Sequence, residues 1–255
     1  MSLLDFCAVL VAGCAAGTIN TIVGSGSLIT FPTLVALGYP PLVANVSNNI
    51  GLVPGSLSGV IGYRRELAGQ RRRLGMLVPA SALGSAVGSG LLLVLPSDVF
   101  DRVVVVLIVL ALVLVVAQPA LSRRLAARRG RSGVPHRDVS ALLWALVAAA
   151  GVYGGYFGAA QGIILVSVLG ILVDDGLQRL NAVKNVLALT VNGVAAVVFM
   201  ATTEIDWAVA GTIALGATVG GQIGARSGRR LDPRVLRAVI VVVGLAAAVR
   251  LVAAA

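Results

Sequence analysis

The chain contains 255 residues, of which 58% are apolar and only 12% are charged. A soluble domain carries about twice that share of charged residues, and a disordered chain is far more polar, so the composition excludes both classes. The net charge of +10 would suit nucleic-acid binding in a soluble protein. Here we expect the basic residues to orient an all-α, polytopic transmembrane helical bundle instead.

The chain begins with an apolar segment at 3–23 that contains Asp5 and is preceded by no basic residue. A cleaved signal peptide has a basic region before its apolar core. We therefore expect this first segment to be retained as a membrane span.

Eight apolar stretches are long enough, or nearly so, to cross about 30 Å of hydrocarbon as helices. Two shorter stretches, at 27–38 and 161–173, cannot cross comfortably, and each follows a glycine-rich break. The breaks are GSGS at 24–27 and GAAQG at 158–162, and we predict a broken or re-entrant segment at each of them. The eight longer stretches are at 3–23, 42–62, 74–95, 103–121, 139–157, 180–201, 207–225 and 235–254.

The order of these features occurs twice along the chain. In each half a Gly-x3-Gly pair precedes a break, a short apolar run and a polar stretch, at 43–59 and again at 179–195. This order pairs Asn48 with Asn185. We predict two transmembrane repeats joined by a basic cytoplasmic linker. The boundaries are 1–121 for the first repeat, 122–138 for the linker and 139–255 for the second repeat.

Three clusters hold 16 of the 20 basic residues. Lys and Arg collect in cytoplasmic loops, so these clusters mark the inner side, whereas the acidic loops at 97–101 and 204–206 mark the outer side. The span at 42–62 then runs inward and its counterpart at 180–201 runs outward, which makes the repeats inverted. A single crossing by 139–173 would place the last basic cluster outside. The clusters are Arg64, Arg65, Arg71, Arg72 and Arg73; Arg123, Arg124, Arg128, Arg129, Arg131 and Arg137; and Arg226, Arg229, Arg230, Arg234 and Arg237.

Three parts of the chain resemble the sulfite exporter TauE/SafE family of bacterial membrane proteins. They are AGTINTIVGSGSLITFPTLVALGYPPLVANVSNNIG at 16–51, LQRLNAVKNVLALTVNGVAAVVF at 177–199 and GGQIGARSGRRLDPRVLR at 220–237. The first glycine-rich break and the NAVKN stretch are the most specific features, and the resemblance extends over about residues 10–250. It implies a permease of the bacterial inner membrane, with sulfite and organosulfonates as the substrates linked to the family.

Lys184 is the only lysine in the chain and lies inside an apolar span. Asn181, Asn185 and Asn192 share one face of its predicted helix, because they are spaced by four and seven residues. Ionisable residues in membrane spans are costly and often functional, and a buried cation beside amide donors suits a sulfite or sulfonate oxygen. The alternative is that Lys184 snorkels to the interface or pairs with a carboxylate at 174–175.

The first half has a corresponding cluster of polar residues, Asn45, Ser47, Asn48 and Asn49. Four polar side chains in five positions are hard to place against lipid. In one interpretation they donate hydrogen bonds to an anion or to water, with Asn48 favoured together with Asn185 because the repeat pairs them. Hydrogen bonding between helices is an equally good interpretation.

The two breaks supply backbone N–H groups at the start of a short helix. Such an end carries partial positive charge and can bind an anion. Ser25 and Ser27 in the first break and Gln161 in the second add side-chain donors. The alternative is that the breaks are tight turns that let helices cross closely.

Glycines spaced four residues apart recur at 51–59 and at 216–228. Such ridges are typical of helices that pack closely in lipid. We interpret them as surfaces for helix packing within the bundle, with a homodimer interface as the minor alternative.

The sequence contains no P-loop lysine motif, no HExxH motif and no Cys/His cluster, so we predict neither an enzyme nor a bound cofactor or metal. We expect a secondary transporter that exports a small sulfur-containing anion, such as sulfite or an organosulfonate, across the bacterial cytoplasmic membrane. Its partners would be that anion and the lipid bilayer, without nucleic acid. A small-anion channel and a structural membrane protein without transport activity are the alternatives.

Overall fold

The computed structural model describes residues 1–129, 139–227, 238, 240–246 and 248–249. Within these ranges the chain forms helices and no strands, so the predicted all-α fold class is confirmed. Residues 240–246 are helical and lie within the last predicted stretch. The bounded helices are α1 Leu3–Ile22, α2 Ser27–Ala36, α3 Pro41–Gly62, α4 Arg71–Val94, α5 Ser97–Arg129, α6 Ala141–Tyr156, α7 Gln161–Leu172, α8 Leu177–Thr202 and α9 Trp207–Ser227.

Five helical segments in the described ranges are long and apolar enough to cross a membrane. They are α1, α4, α8, α9 and the part of α5 from Val103 to Ala120. α3 has 22 residues but is more polar because of its Asn and Ser residues, and α6 has only 16 residues. A polytopic helical membrane protein is therefore confirmed, whereas the count of eight spans stays a prediction.

α1, α3 and α9 pack side by side and run in the same direction. A residue later in one of these helices contacts a residue later in the next, which happens only when the helices are parallel. Gly13 and Gly51 lie against Ile213, and Gly17 and Gly55 lie against Ala217.

α4, α6 and α8 form a second parallel group, which runs opposite to the first. The opposite direction follows from the contacts of α8. Asn181 donates to the carbonyl of Thr21, which lies beside Gly59 of α3, whereas the later Asn192 donates to Ser56, which is earlier in α3. The contacts that advance together pair Gly84 with Ala148, Gly88 with Val152, Gln70 with Arg179 and Ser85 with Val191.

These directions confirm the predicted inversion of the two repeats. α1, α3 and α4 of the first half each run opposite to their counterparts α6, α8 and α9 of the second half. Each repeat also packs its first helix against the last helix of the other repeat, since α1 packs against α9 and α6 packs against α4. Since α1 and α3 are parallel, α2 returns the chain between them, and α7 does the same between α6 and α8. The proposed repeat boundaries stay predictions, because 130–138 lies outside the described residues.

The two ends of the bundle carry opposite charge. Arg64 follows the end of α3, Arg73 lies in the first turn of α4, and Arg226 lies in the last turn of α9, which is parallel to α3. We call this the basic end. The other end is negative, since the carboxylates of Asp5 and Asp206 lie near Tyr39 there. Burial raises the pKa of the Tyr39 hydroxyl, and these two negative charges raise it further. The sign of each end agrees with the predicted inner and outer sides, although most side chains of the second and third basic clusters lie outside the described set.

The glycine ridges pack helices of this chain against each other. A Cβ atom on Gly216 or Gly220 of α9 would overlap the backbone of α1 near Cys14, and one on Gly221 would overlap the carbonyl of Gly55 in α3. Small residues allow this close approach. The predicted role in packing within the bundle is confirmed for Gly55, Gly216 and Gly220.

Candidate functional site

The two helix breaks touch inside the bundle. The amide N–H of Gly162 donates a hydrogen bond to the carbonyl of Gly24 at 3.0 Å. Both glycines are buried, and a Cβ atom on either would overlap the backbone of the other. Gly24 also has φ +89° and Gly158, in the second break, has φ +79°, a region that favours glycine. We call the contact between Gly24 and Gly162 the crossing point.

The short helices that begin near the crossing point lack the caps found on the helices before them. The hydroxyls of Ser2 and Ser140 cap α1 and α6 by accepting backbone N–H groups at 3.2 and 3.1 Å. By contrast, α2 begins at Ser27 and α7 at Gln161 without a side-chain cap. The start of a helix carries partial positive charge, although here the N–H groups of Leu28, Ile29, Gly162 and Ile163 donate to nearby carbonyls. Two positive helix ends are thus directed into the protein interior.

Two predicted site residues beside the crossing point carry buried polar atoms that lack a hydrogen-bond partner among the described residues. These atoms are Ser25 Oγ and Gln161 Nε2, in residues that are 1% and 3% exposed. Ser25 follows Gly24 and Gln161 precedes Gly162, whereas Ser27 is half-buried at the start of α2. A buried polar atom without a partner costs about 1–3 kcal/mol. A bound anion or water would therefore stabilise this arrangement.

The side chain of Lys184 is fully buried and points to the crossing point. Its Nζ donates hydrogen bonds to the carbonyls of Asn20 at 2.8 Å and Thr21 at 3.2 Å. Both carbonyls lie in the last turn of α1, where a helix carries partial negative charge. The Lys184 Cδ lies beside Gly162. Lys184 therefore does not snorkel to an interface.

The predicted asparagines hold the ends of the two helices that stop at the breaks. Asn181 and Asn185 of α8 donate to the carbonyl of Thr21 at 3.2 and 3.3 Å. Asn45 of α3 donates to the carbonyl of Tyr156 at 3.1 Å. α8 thus fixes the end of α1 in the way that α3 fixes the end of α6, as the inverted repeats require.

The repeats are not equivalent at the position of Lys184. Asn48 accepts a hydrogen bond from the Thr30 hydroxyl. If Asn48 corresponds to Asn185, then Ser47 corresponds to Lys184, and Ser47 Oγ is buried without a described partner. The site therefore contains an ammonium group from one repeat and only a small hydroxyl from the other.

Sequence reasoning missed Asn20 and Thr21, whose carbonyls bind Lys184. A signal for them was present, because these two polar residues end an apolar span directly before the GSGS break. It also missed Thr30, the partner of Asn48, for which the sequence offers no comparable signal.

Comparison with known proteins identifies the kind of protein to which this site belongs. The profile of the family described as "Sulfite exporter TauE/SafE" matches residues 9–251. The chain belongs to this family. TauE/SafE proteins are membrane transporters rather than a class of enzymes, and this member has the several apolar helices of a multi-pass membrane protein.

Curated relatives carry names that agree with the TauE/SafE assignment. "Probable membrane transporter protein ORF9" of Sinorhizobium sp is 28% identical over 247 residues, which is 95% of this chain and 90% of the relative. "Probable membrane transporter protein" of Haemophilus influenzae Rd is 26% identical over 94% of this chain and 91% of its own length. "Probable membrane transporter protein YfcA" of Escherichia coli K12 is 27% identical over 89% and 82%.

In this TauE/SafE protein the two halves are also joined by charged side chains at the basic end. The carboxylate of Asp175 pairs with Arg73 at 2.8 Å and with Arg179 at 2.8 Å, and Gln70 donates to the carbonyl of Arg179 at 3.1 Å. Burial alone would raise the pKa of Asp175, but hydrogen bonds from Arg73, the Gly176 N–H and Arg179 hold it below its usual value. We call Arg73, Asp175 and Arg179 the ion-pair cluster. The carboxylate of Asp175 therefore pairs with two arginines and not with Lys184.

Proposed function

We propose that this protein is a secondary transporter that exports a small sulfur-containing anion, such as sulfite or an organosulfonate, across the cytoplasmic membrane of a bacterium. One observation carries the proposal. Two uncapped helix starts meet at the contact between Gly24 and Gly162, beside the buried ammonium group of Lys184.

The donors around the crossing point suit an oxyanion. Sulfite and sulfonate groups carry oxygens that accept hydrogen bonds from N–H and O–H groups of side chains, and the partial positive charge of a helix start also favours an anion. We assign Ser25, Ser27, Gln161 and Lys184 to direct contact with the anion. The first and third of these have buried atoms for which the described residues provide no partner.

The asparagines complete the proposed site by fixing the backbone that surrounds it. Asn181 and Asn185 hold the end of α1, and Asn45 holds the end of α6. Asn48 binds Thr30 of α2 and so positions the first short helix. We assign these four asparagines to the substrate site, where their side chains keep the helix ends aligned.

The inverted repeats supply a route for alternating access. In many secondary transporters the substrate lies between two inverted repeats, at discontinuous helices, and one repeat rocks against the other. The crossing point lies between the two repeats of this chain, so such a motion would expose the anion to one side and then to the other. The family name supports sulfite as one substrate.

Counterflow in proteoliposomes tests the proposal. Vesicles that contain the full chain are loaded with unlabelled sulfite, ethanesulfonate, sulfoacetate or taurine and diluted into a trace of the same labelled compound. A transporter exchanges the compounds and accumulates the label transiently above its equilibrium level, whereas a channel equilibrates without that overshoot. Uptake without an overshoot would favour the channel, and no uptake of any compound would contradict the proposed substrates.

A further inference from the structure

We propose that the site at the crossing point selects monoanions over dianions and zwitterions, and that Lys184 sets this selectivity. The inference rests on the proposed function, since it names the charge class of the transported substrate. It follows from an account of the charges that surround the crossing point.

Lys184 has no acidic partner in the part of the chain that the structure describes. α2, α3, α6 and α7 contain no Asp, Glu, Lys, Arg or His; their ionisable side chains are Tyr153 and Tyr156 of α6. On α1 the acidic residue is Asp5, at the opposite end of that helix from Asn20, about 22 Å away along the axis.

The other charged side chains on this side of the crossing point lie at the basic end, among them the ion-pair cluster and Arg226 of α9, which is exposed. Arg179 lies on the same helix as Lys184, but it and Arg73 are both paired with Asp175. The side chain of Arg179 is 39% exposed, and solvent screens exposed charges. Lys184 is therefore the one basic side chain that the described residues place at the crossing point.

The helix ends at the crossing point cancel each other. Each end carries about half an elementary charge, negative where a helix stops and positive where one starts. α1 and α6 stop at the two breaks, and α2 and α7 start there. The two negative ends offset the two positive ends, which leaves the single positive charge of Lys184.

One bound negative charge balances this site, and any other net charge does not. A monoanion neutralises the charge of Lys184, whereas a dianion leaves a second negative charge buried without a partner, which is costly. A zwitterion with an amino group brings a second cation next to Lys184. An ammonium group has three N–H donors, of which two are given to Asn20 and Thr21, so one donor remains for the monoanion.

Three sulfonates of similar size test this selectivity. Ethanesulfonate carries one negative charge, sulfoacetate carries two and taurine carries none in total at neutral pH. Equilibrium binding to the purified full chain is measured by calorimetry. We expect ethanesulfonate to bind at least about tenfold more tightly than the other two, because a charge mismatch in a site of low dielectric costs more than a factor of ten.

Two variants separate the charge of Lys184 from its other contacts. Lys184→Arg keeps the charge and should keep the order of affinities, whereas Lys184→Gln should weaken ethanesulfonate binding by about tenfold or more and abolish its advantage over taurine. Ser167→Ala is the control, because that hydroxyl binds a carbonyl of its own helix at 2.6 Å.

The outcomes distinguish this inference from the proposed function. If the wild-type chain binds sulfoacetate or taurine as tightly as ethanesulfonate, the charge selectivity is wrong while the transporter proposal stands. A preference for ethanesulfonate that survives in Lys184→Gln would overturn the role of Lys184. Absence of binding by all three, together with no counterflow of sulfite, would overturn the proposed function as well. If Lys184→Gln does not fold, the wild-type series still decides the selectivity.

Discussion

The amide N–H of Gly162 donates a hydrogen bond to the carbonyl of Gly24, so the helix breaks of two inverted repeats touch at one point inside the bundle. Lys184 reaches the same point from α8 and binds the carbonyls of Asn20 and Thr21. Any movement of one repeat against the other therefore changes the surroundings of the buried ammonium group.

Replacement of Gly162 should disturb the crossing point directly. In Gly162→Ala the added Cβ would overlap the backbone of Gly24 and approach the Lys184 Cδ. Overpacking of this kind destabilises a protein by about 1–3 kcal/mol, so we expect a lower melting temperature in detergent. In the control Gly193→Ala, nothing lies within 4 Å of the added atom, and the better helix former should leave the melting temperature unchanged or higher. Equal melting temperatures for the two variants would show that the contact is not tight.

The asparagines that hold the two helix ends should differ in their importance. The carbonyl of Thr21 accepts from Asn181, Lys184 and Asn185, whereas the carbonyl of Tyr156 has Asn45 as its described side-chain donor. We expect Asn45→Ala to cost about 1–3 kcal/mol, because the described residues offer the Tyr156 carbonyl no second side-chain donor.

Asn181→Ala should cost less than Asn45→Ala, because Lys184 and Asn185 continue to bind Thr21. Thermal unfolding of both variants in the same detergent measures the difference. A larger loss of stability for Asn181→Ala would contradict the redundancy at the end of α1.

The ion-pair cluster should stabilise the contact between the two halves at the basic end. Asp175→Asn removes the carboxylate charge that pairs with Arg73, whose side chain is 8% exposed. We expect a loss of about 1–3 kcal/mol, with little contribution from the more exposed Arg179. Asp174→Asn is the matched control, since Asp174 is exposed. A similar melting temperature for both variants would show that the cluster contributes little.

The contribution of Asp175 should also depend on pH in one direction. Its folded pKa is lowered, so its stabilising effect is fully present above the unfolded pKa, about 3.9, and is lost as pH falls through the lower folded value. The difference in melting temperature between wild type and Asp175→Asn should therefore be complete at pH 7 and shrink only below about pH 4. A difference that disappears already near neutral pH would assign the effect to another group.

Much of the fold could be predicted from the sequence, because the bilayer imposes strong patterns. The apolar stretches gave most helices to within a few residues, and the basic clusters around Arg64 and Arg226 gave their direction. The exception is α5, which extends from Ser97 to Arg129 and so passes both ends of the predicted stretch at 103–121 and makes the predicted acidic loop at 97–101 helical. The glycine-rich breaks marked where α2 and α7 begin. The ends of α5 were missed, because composition marks an apolar segment better than it marks the polar turns that continue the helix beyond it.

The contacts of the candidate site were harder to predict. The pairing of Gly24 with Gly162 joins two distant parts of the chain, and no periodic pattern specifies such a contact. The partners of Lys184 are the backbone carbonyls of Asn20 and Thr21. Every residue has a carbonyl, so sequence reasoning turned to the carboxylates at 174–175, which lie near the basic end. Residue types revealed the donors of the site, but only the fold revealed the acceptors.

The concentration of ethanesulfonate that gives half-maximal counterflow, measured in proteoliposomes, tests most directly whether an anion sits at the crossing point. Ser25→Ala and Gln161→Ala each remove a buried polar atom that lacks a described partner, whereas the control Ser167→Ala removes a hydroxyl bonded within its own helix. We predict that each of the first two variants raises that concentration by about tenfold, as expected for a lost hydrogen bond to a charged group, and that the control leaves it unchanged. Unchanged values in Ser25→Ala and Gln161→Ala, in vesicles that still show counterflow, would place the anion elsewhere and contradict the account.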